Sequence, residues 1–236
     1  NMVENLRCDF NFSILTTDRD LGDNKPYHDV CVDSWVDYAG VKVKYSNRSD
    51  VSLLSVYRLL KNSEFDVIYL NSYFSARFSI LVLLVIKIFF SNQFLVVLAP
   101  RGEFSPGALA IKSFKKKLFI TIAKLFSLHR DVRWHASTDL EKLEICNVLN
   151  IDEKKRDNVI VALNVTKNLP TKPFIHKKFD RPLKICFISR ICVKKNLMYA
   201  LEVLKSVKAT VIFTIYGPIE DNIYFKLLVE YDPTLS

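Results

Sequence analysis

The stretch from 184 to 217, KICFISRICVKKNLMYALEVLKSVKATVIFTIYG, constrains this chain more than any other. An apolar run (185–188) ends at Ser189-Arg190, and a short loop then carries Lys194 and Lys195. Asn196 opens an amphipathic segment, and a second β-branched run (211–215) ends at Tyr216-Gly217-Pro218. Two short apolar runs flanking a helical periodicity, with turn residues at each exchange, predict a strand–helix–strand unit. The cations lie just past the carboxyl end of the first strand, which is where open α/β sheets bind ligands. A guanidinium and an ammonium beside a helix N-terminus suit an anion, and a phosphate best. Only 19 residues follow Gly217, so the domain that this unit opens is expected to be incomplete. The chain also begins with Asn1 rather than Met, and it is read as an internal fragment.

The remainder repeats the alternation. Strands are predicted at 12–15, 41–45, 66–70 (DVIYL), 94–98, 131–135 and 159–163. Helices are predicted at 53–60, 112–128 and 139–149. Such alternation means an α/β fold with a parallel, doubly wound, Rossmann-like sheet. Residues 166–182 carry Pro170, Pro173 and Pro182 and several lysines without apolar periodicity, which marks a linker. The expected organisation is a Rossmann-like domain over 1–166, a linker over 167–183, and an incomplete second Rossmann-like domain over 184–236.

Composition narrows the partners. The formal net charge of +9 is concentrated in residues 101–200, which hold 21 Lys/Arg against 9 Asp/Glu. A local cationic excess points to a phosphorylated ligand or an anionic membrane surface. No helix-turn-helix, zinc-finger or RNP-like pattern is present, so nucleic acid is not an expected partner. The apolar segment 78–90 (FSILVLLVIKIFF) is 13 residues long. As a helix it spans roughly 20 Å, short of the roughly 30 Å of a bilayer core, and it is expected to pack on the sheet, with monotopic membrane contact as the alternative. The five cysteines are scattered, odd in number, mostly inside apolar runs and without C-x-x-C, a pattern that fits reduced, buried thiols and a cytoplasmic setting.

Several strand-end segments could carry chemistry. Ala99-Pro100-Arg101-Gly102-Glu103 follows a buried strand, so Arg101 and Glu103 would project at its carboxyl end, either as a solvated turn or as a ligand-touching loop. Asn71-Ser72 ends DVIYL, and residues 16–27 follow the first strand. His135 ends another strand, and Ser137 or Thr138 then reads as a helix N-cap with acidic residues in the first turn. No nucleophile or metal-ligand spacing accompanies His135, and His28, His129 and His176 are dispersed, so no metal site is expected. In the helix 112–128, Phe114, Leu118, Ile122 and Leu125 form one apolar stripe. Lys112, Lys115, Lys116, Lys117 and Lys124 crowd the other faces, and Phe119 and Ile120 interrupt the polar side. The lysines are either a solvated face or a membrane contact.

The order of these elements resembles the retaining nucleotide-sugar glycosyltransferases of the GT-B fold, the group 1 or family 4 class, whose bacterial members build surface polysaccharides such as lipopolysaccharide. Ser189-Arg190 with Lys195 resembles the family's Gly-Arg-x-x-x-x-Lys-Gly loop for the donor diphosphate, with Ser189 and Asn196 in place of its glycines. The end of the next strand, 215–218, looks like the family's hydrophobic-x-Gly-x-Gly turn, which makes Gly217 a donor-side residue. Ala162-Leu163-Asn164 is similar to its Pro-Asn-Gly. The segment Pro100-Arg101-Gly102-Glu103 resembles its Pro-His/Arg-Gly, although Arg101 cannot act as a base at neutral pH. His135-Ala136-Ser137-Thr138 with Glu141 resembles the following His/Ala-Thr-Ser…Glu segment. The family's Glu-x7-Glu motif would lie beyond Ser236 and its glycine-rich first loop before Asn1, so the fragment alone is expected to be inactive.

The resemblance implies transfer of a sugar from a nucleotide-diphosphate donor to a glycan or lipid-linked acceptor at the inner membrane face. Arg190 and Lys195 would neutralise the leaving diphosphate, with no cofactor and no metal. Asn71, Arg101, Gly102, Glu103 and His135 would lie on the acceptor side. Two alternatives stand beside it: a non-catalytic, membrane-associated binding module using the helix 112–128, and a nucleotide-sugar epimerase or phosphorylase on the same fold.

Overall fold

The computed structural model describes residues 2–20, 23–152, 157–164 and 182–235. The chain divides into two compact units, Asn1–Leu169 and Pro170–Ser236. Almost all of the linker expected over 167–183, and His176 within it, lies outside the described residues.

The first unit opens with a short helix, α1 (Met2–Leu6), and then β1 (Ser13–Thr17), β2 (Trp35–Tyr38) and β3 (Val41–Ser46). These three strands form one sheet in the order β1-β3-β2, with β1 parallel and β2 antiparallel to β3. The strand β2 has no counterpart in the sequence reading, because WVDY lacks alternation and all four residues are exposed. Its turn is legible in hindsight. Ala39 and Gly40 both take positive φ (55° and 81°), the backbone of a two-residue hairpin whose twist matches its strands.

Next come α2 (Leu53–Lys61), β4 (Val67–Asn71), α3 (Leu81–Phe89), β5 (Leu95–Ala99), α4 (Pro106–Ala110), α5 (Ser113–Leu125), β6 (Val132–Ala136), α6 (Asp139–Leu149) and β7 (Val159–Val161). The strands β4-β5-β6-β7 make a four-stranded, all-parallel sheet in sequential order. The single doubly wound sheet expected from sequence is therefore corrected: among the described residues the three-stranded and four-stranded sheets are separate. A central strand of such a sheet is buried on both faces. In β1 (SILTT) no residue is fully buried, and only two are apolar.

The core of this unit is continuous, with Val85, Leu98, Ala136 and Ile145 fully enclosed. Ser52 caps α2 in a reciprocal capping box with Ser55, and Thr138 caps α6, whose other end turns through left-handed Asn150. The segment expected as one helix over 78–90 starts as a wide π-type turn (Ala76–Ile80) and continues as α3, with Val82, Leu83, Val85 and Ile86 buried. No helix among the described residues is long and apolar enough to cross a membrane.

The helix α5 reverses the expected amphipathicity. The residues that seemed to interrupt its polar side face the core: Ile120 is 7% and Ala123 2% exposed, and Phe119 packs on the same cluster. The four-residue apolar stripe faces outward, with Phe114 77%, Leu118 50%, Ile122 43% and Leu125 78% exposed.

The second unit, as far as described, holds β8 (Leu183–Ile188), α7 (Leu197–Ser206), β9 (Val211–Tyr216) and α8 (Asn222–Tyr231). The two strands pair in parallel, as expected. Leu197, Leu201, Tyr224 and Leu228 form a small core, with Phe187, Phe213 and Ile215 packed against it. The opposite face of the sheet, Cys186, Ile188 and Tyr216, is exposed. This also corrects the reading of the cysteines as mainly buried. Cys8, Cys31 and Cys186 are exposed, Cys192 is intermediate, and Cys146 is buried, all as free thiols.

Candidate functional site

At the carboxyl ends of the four parallel strands, several polar side chains join into one network. Tyr69 and Asn71 are two residues apart on β4, so the pleat directs both to the same face. Arg101 follows β5 and takes a left-handed backbone (φ 56°), as does Gly102 (φ 74°). Its guanidinium donates to Asn71 Oδ1 (3.2 Å), to the Tyr69 hydroxyl (2.9 Å) and to Asn164 Oδ1. The Tyr69 hydroxyl meets His135 Nδ1 at 2.5 Å. The other ring nitrogen, Nε2, lies 2.7 Å from the Ala162 carbonyl. A carbonyl only accepts, so Nε2 carries the hydrogen and Nδ1 accepts from tyrosine. Burial, opposed in part by Arg101, raises the Tyr69 pKa above its usual value, which keeps the phenol a donor. The chain of bonds thus runs from Arg101 through Tyr69 and His135 to the loop after β7. Among the described residues three of the five guanidinium N–H groups are engaged, and Arg101 is exposed, which leaves the group open to a ligand.

Two carboxylates build the scaffold beneath. Glu141, 5% exposed, accepts from Gly102 N (2.6 Å), Ser137 N (2.7 Å) and Ser137 Oγ (2.7 Å). Burial raises its pKa, but the bonds from Ser137 and Gly102 and the charge of Arg101 outweigh that and leave it below the ordinary range. Glu103 accepts from Ser72 Oγ (2.7 Å), Tyr73 N (2.5 Å) and Phe74 N (3.2 Å). Each carboxylate therefore ties one strand-end loop to the next. Of the acceptor-side residues named from sequence, Asn71, Arg101 and His135 come together. Gly102 and Glu103 serve the loop backbone instead, and Arg101 and Glu103 bond to different partners rather than to each other. Sequence reasoning missed Tyr69, whose only signal was a polar tip two positions before Asn71.

Behind the loop after β4 lies a second group the sequence did not connect. Tyr73 is fully buried among Phe74, Phe104, Phe119 and Trp134. Its hydroxyl sits 2.7 Å from His129 Nε2. Burial raises the Tyr73 pKa. Burial, then the charges of Lys124 and Lys87, pushes His129 down to about 4. The neutral ring accepts the phenol hydrogen. The loop 16–27, also named from sequence, belongs to the other sheet. There Arg19 grips buried Asp18 through two 2.9 Å bonds.

In the second unit the loops leaving β8 and β9 are stitched together. Ser189 N donates to Tyr216 O (3.0 Å), Ile191 N to Pro218 O (2.9 Å), and Glu220 N to Ile191 O (3.1 Å). Gly217 makes this possible. Its φ is +150°, and a Cβ there would lie 1.9 Å from Ser189 O. Arg190, 54% exposed, forms a 2.8 Å ion pair with Glu220, 47% exposed. Lys195 ends a short 3-10 turn, Val193–Lys195, and is exposed. Asn196 then enters α7 in the left-handed conformation (φ 50°). A depression of about 390 Å³, lined by Leu204, Lys205, Val211 and Thr234 among others, lies at the opposite, amino end of β9 and includes neither Arg190 nor Lys195.

Of the lysines named as a membrane contact, Lys116 is corrected. Its ammonium donates to the Ala108 carbonyl (2.6 Å) and lies 5.0 Å from the Phe74 ring centroid, so it braces α5 against α4. Lys112, Lys115 and Lys117 are exposed, and Lys124 is intermediate. No protein-family model, curated protein or solved structure matches the chain.

Proposed function

We propose that this chain belongs to a glycosyltransferase of the GT-B kind, moving a sugar from a nucleotide-diphosphate donor to a glycan or lipid-linked glycan in polysaccharide biosynthesis. The observation that carries the reading is the cationic loop after β8, where Arg190 and Lys195 precede the start of α7. Its backbone suits the resemblance. Asn196, which stands where the resembled loop has a glycine, takes the left-handed conformation (φ 50°), a region that asparagine tolerates best after glycine. The close approach of backbone at Ser189 is met from the other side, by Gly217.

The Arg190–Glu220 pair does not oppose this role. An exposed ion pair is worth about 0–1 kcal/mol, so a diphosphate with several charges can take the guanidinium while Glu220 keeps it oriented. As the sugar–phosphate bond breaks, negative charge grows on the departing diphosphate. Arg190, a planar fork, and Lys195, a point charge, offset it. On the first unit, the exposed guanidinium of Arg101, held by Asn71, Tyr69 and Asn164, suits hydroxyl or anionic groups of an acceptor.

The test is titration of the chain with inorganic pyrophosphate and with uridine diphosphate, followed by amide shifts in residues 189–196. Both ligands should shift these amides, and Arg190→Ala and Lys195→Ala should each weaken binding about tenfold to a hundredfold, the worth of one charge-assisted bond. Pyrophosphate that shifts none of them, or variants that bind as the parent does, would remove the proposal's footing.

A further inference from the structure

We infer that the outward face of α5, continued by the outward face of α3, is a docking surface for an anionic phospholipid bilayer. Along α5 the apolar residues at helical spacing are not core residues. Phe114, Leu118, Ile122 and Leu125 are all exposed, and Ile111 (61%) and Phe126 (66%) extend the stripe at either end. The side of α5 that packs inward is a different one, made by Lys116, Phe119, Ile120 and Ala123. At about 100° per residue, Lys115 borders the stripe on one side, and Lys117 and Lys124 border it on the other.

The patch does not stop at the helix end. Lys87 of α3 donates to the carbonyls of Phe126 (a short contact) and Ser127 (2.8 Å). That bond brings the outward side of α3 beside the carboxyl end of α5. Leu84 (39%) and Ile88 (63%) lie there, one helical turn apart and both exposed. Exposed apolar residues therefore recur along α5 and again on the adjoining side of α3, a grouping that marks an interaction site rather than scattered exposed leucines.

Charge selects the occupant. Residues 104–130 hold Lys112, Lys115, Lys116, Lys117, Lys124 and Arg130 and no Asp or Glu. An apolar stripe with cations along its borders lets large side chains enter the acyl region while ammonium groups remain among anionic headgroups. A second protein chain would need acids to match the lysines that border the apolar stripe, and a copy of this same face would set lysine against lysine. The helix lies in the membrane plane in this arrangement; α5, at 13 residues, is about 20 Å long. This inference is independent of the donor-site proposal, because none of its residues lies in the second unit.

Flotation of the chain with vesicles of phosphatidylcholine alone, and of phosphatidylcholine mixed with phosphatidylglycerol, tests it. The expected result is binding to the mixed vesicles and far weaker binding to the neutral ones. Lys115→Glu with Lys117→Glu should lower the partition by at least about fivefold per lysine, an effect that added salt masks. Phe114→Ser with Leu125→Ser should lower it about tenfold or more, in low and high salt alike. All four side chains are exposed, and unchanged circular dichroism would establish that the fold is retained. Three results would overturn the inference: no vesicle binding, serine variants that bind as well as the parent, or a dimer in sedimentation equilibrium that the serine pair dissociates.

Discussion

Replacing Glu141 tests whether one buried carboxylate holds the strand-end network together. It satisfies two backbone N–H groups, of Gly102 and Ser137, and the Ser137 hydroxyl. Glutamine keeps one oxygen but turns an amide N–H₂ toward one of those donors. One buried N–H then loses its acceptor, which costs about 1–3 kcal/mol. Alanine abandons both backbone donors, although the serine hydroxyl can rotate away, so its cost is about 2–6 kcal/mol. Urea unfolding followed by the fluorescence of Trp134, 2% exposed on β6, reads both values.

The pH dependence supplies the sign. The carboxyl pKa is lowered in the fold from its ordinary 4.5, so its contribution is complete above 4.5 and is lost as pH falls through the lower folded value. Glutamine does not titrate. The stability gap between parent and Glu141→Gln should therefore be constant at neutral pH and close in acid. A glutamine variant within about 0.5 kcal/mol of the parent at neutral pH, or a gap that widens as pH falls, would refute the assignment. Because Glu141 also fixes Gly102 at φ 74°, the same variant should loosen Arg101, visible as averaged guanidinium signals.

Two further outcomes follow from local geometry. In Gly217→Ala a Cβ would meet Ser189 O at 1.9 Å. The second unit should lose at least about 2 kcal/mol, with faster hydrogen exchange at β8 and β9 and none of it at β4–β7; unaltered exchange would contradict the packing. His129, pushed down to about 4 by burial and then by Lys124 and Lys87, should remain neutral in a proton NMR titration well below 6.5. The stability that depends on the neutral ring is full above 6.5 and lost as pH falls through about 4, so His129→Phe should flatten that loss; a midpoint near 6.5 would sink the argument.

The element order was legible because its signals are local. The run DVIYL reads as a short strand, although only Leu70 of it is buried, Thr138 followed by Asp139 and Glu141 announces a helix start, and 184–217 carries strand, turn, helix and turn within one window. Arg190 and Lys195 could be singled out because strand direction alone puts them at a carboxyl end. Three things were decided elsewhere. Whether β1 joins β4 depends on pairing between distant segments, and no local pattern encodes it. The network of Tyr69, Arg101, His135 and Asn164 spans 96 positions of sequence, and only parallel registration of β4 to β7 brings the members together. The orientation of α5 was undecidable from its own residues, since it has apolar groups on two faces. The sheet selected Phe119, Ile120 and Ala123, because contact with Tyr73 and the core fixed which side was inward, and so left Phe114, Leu118 and Leu125 facing out.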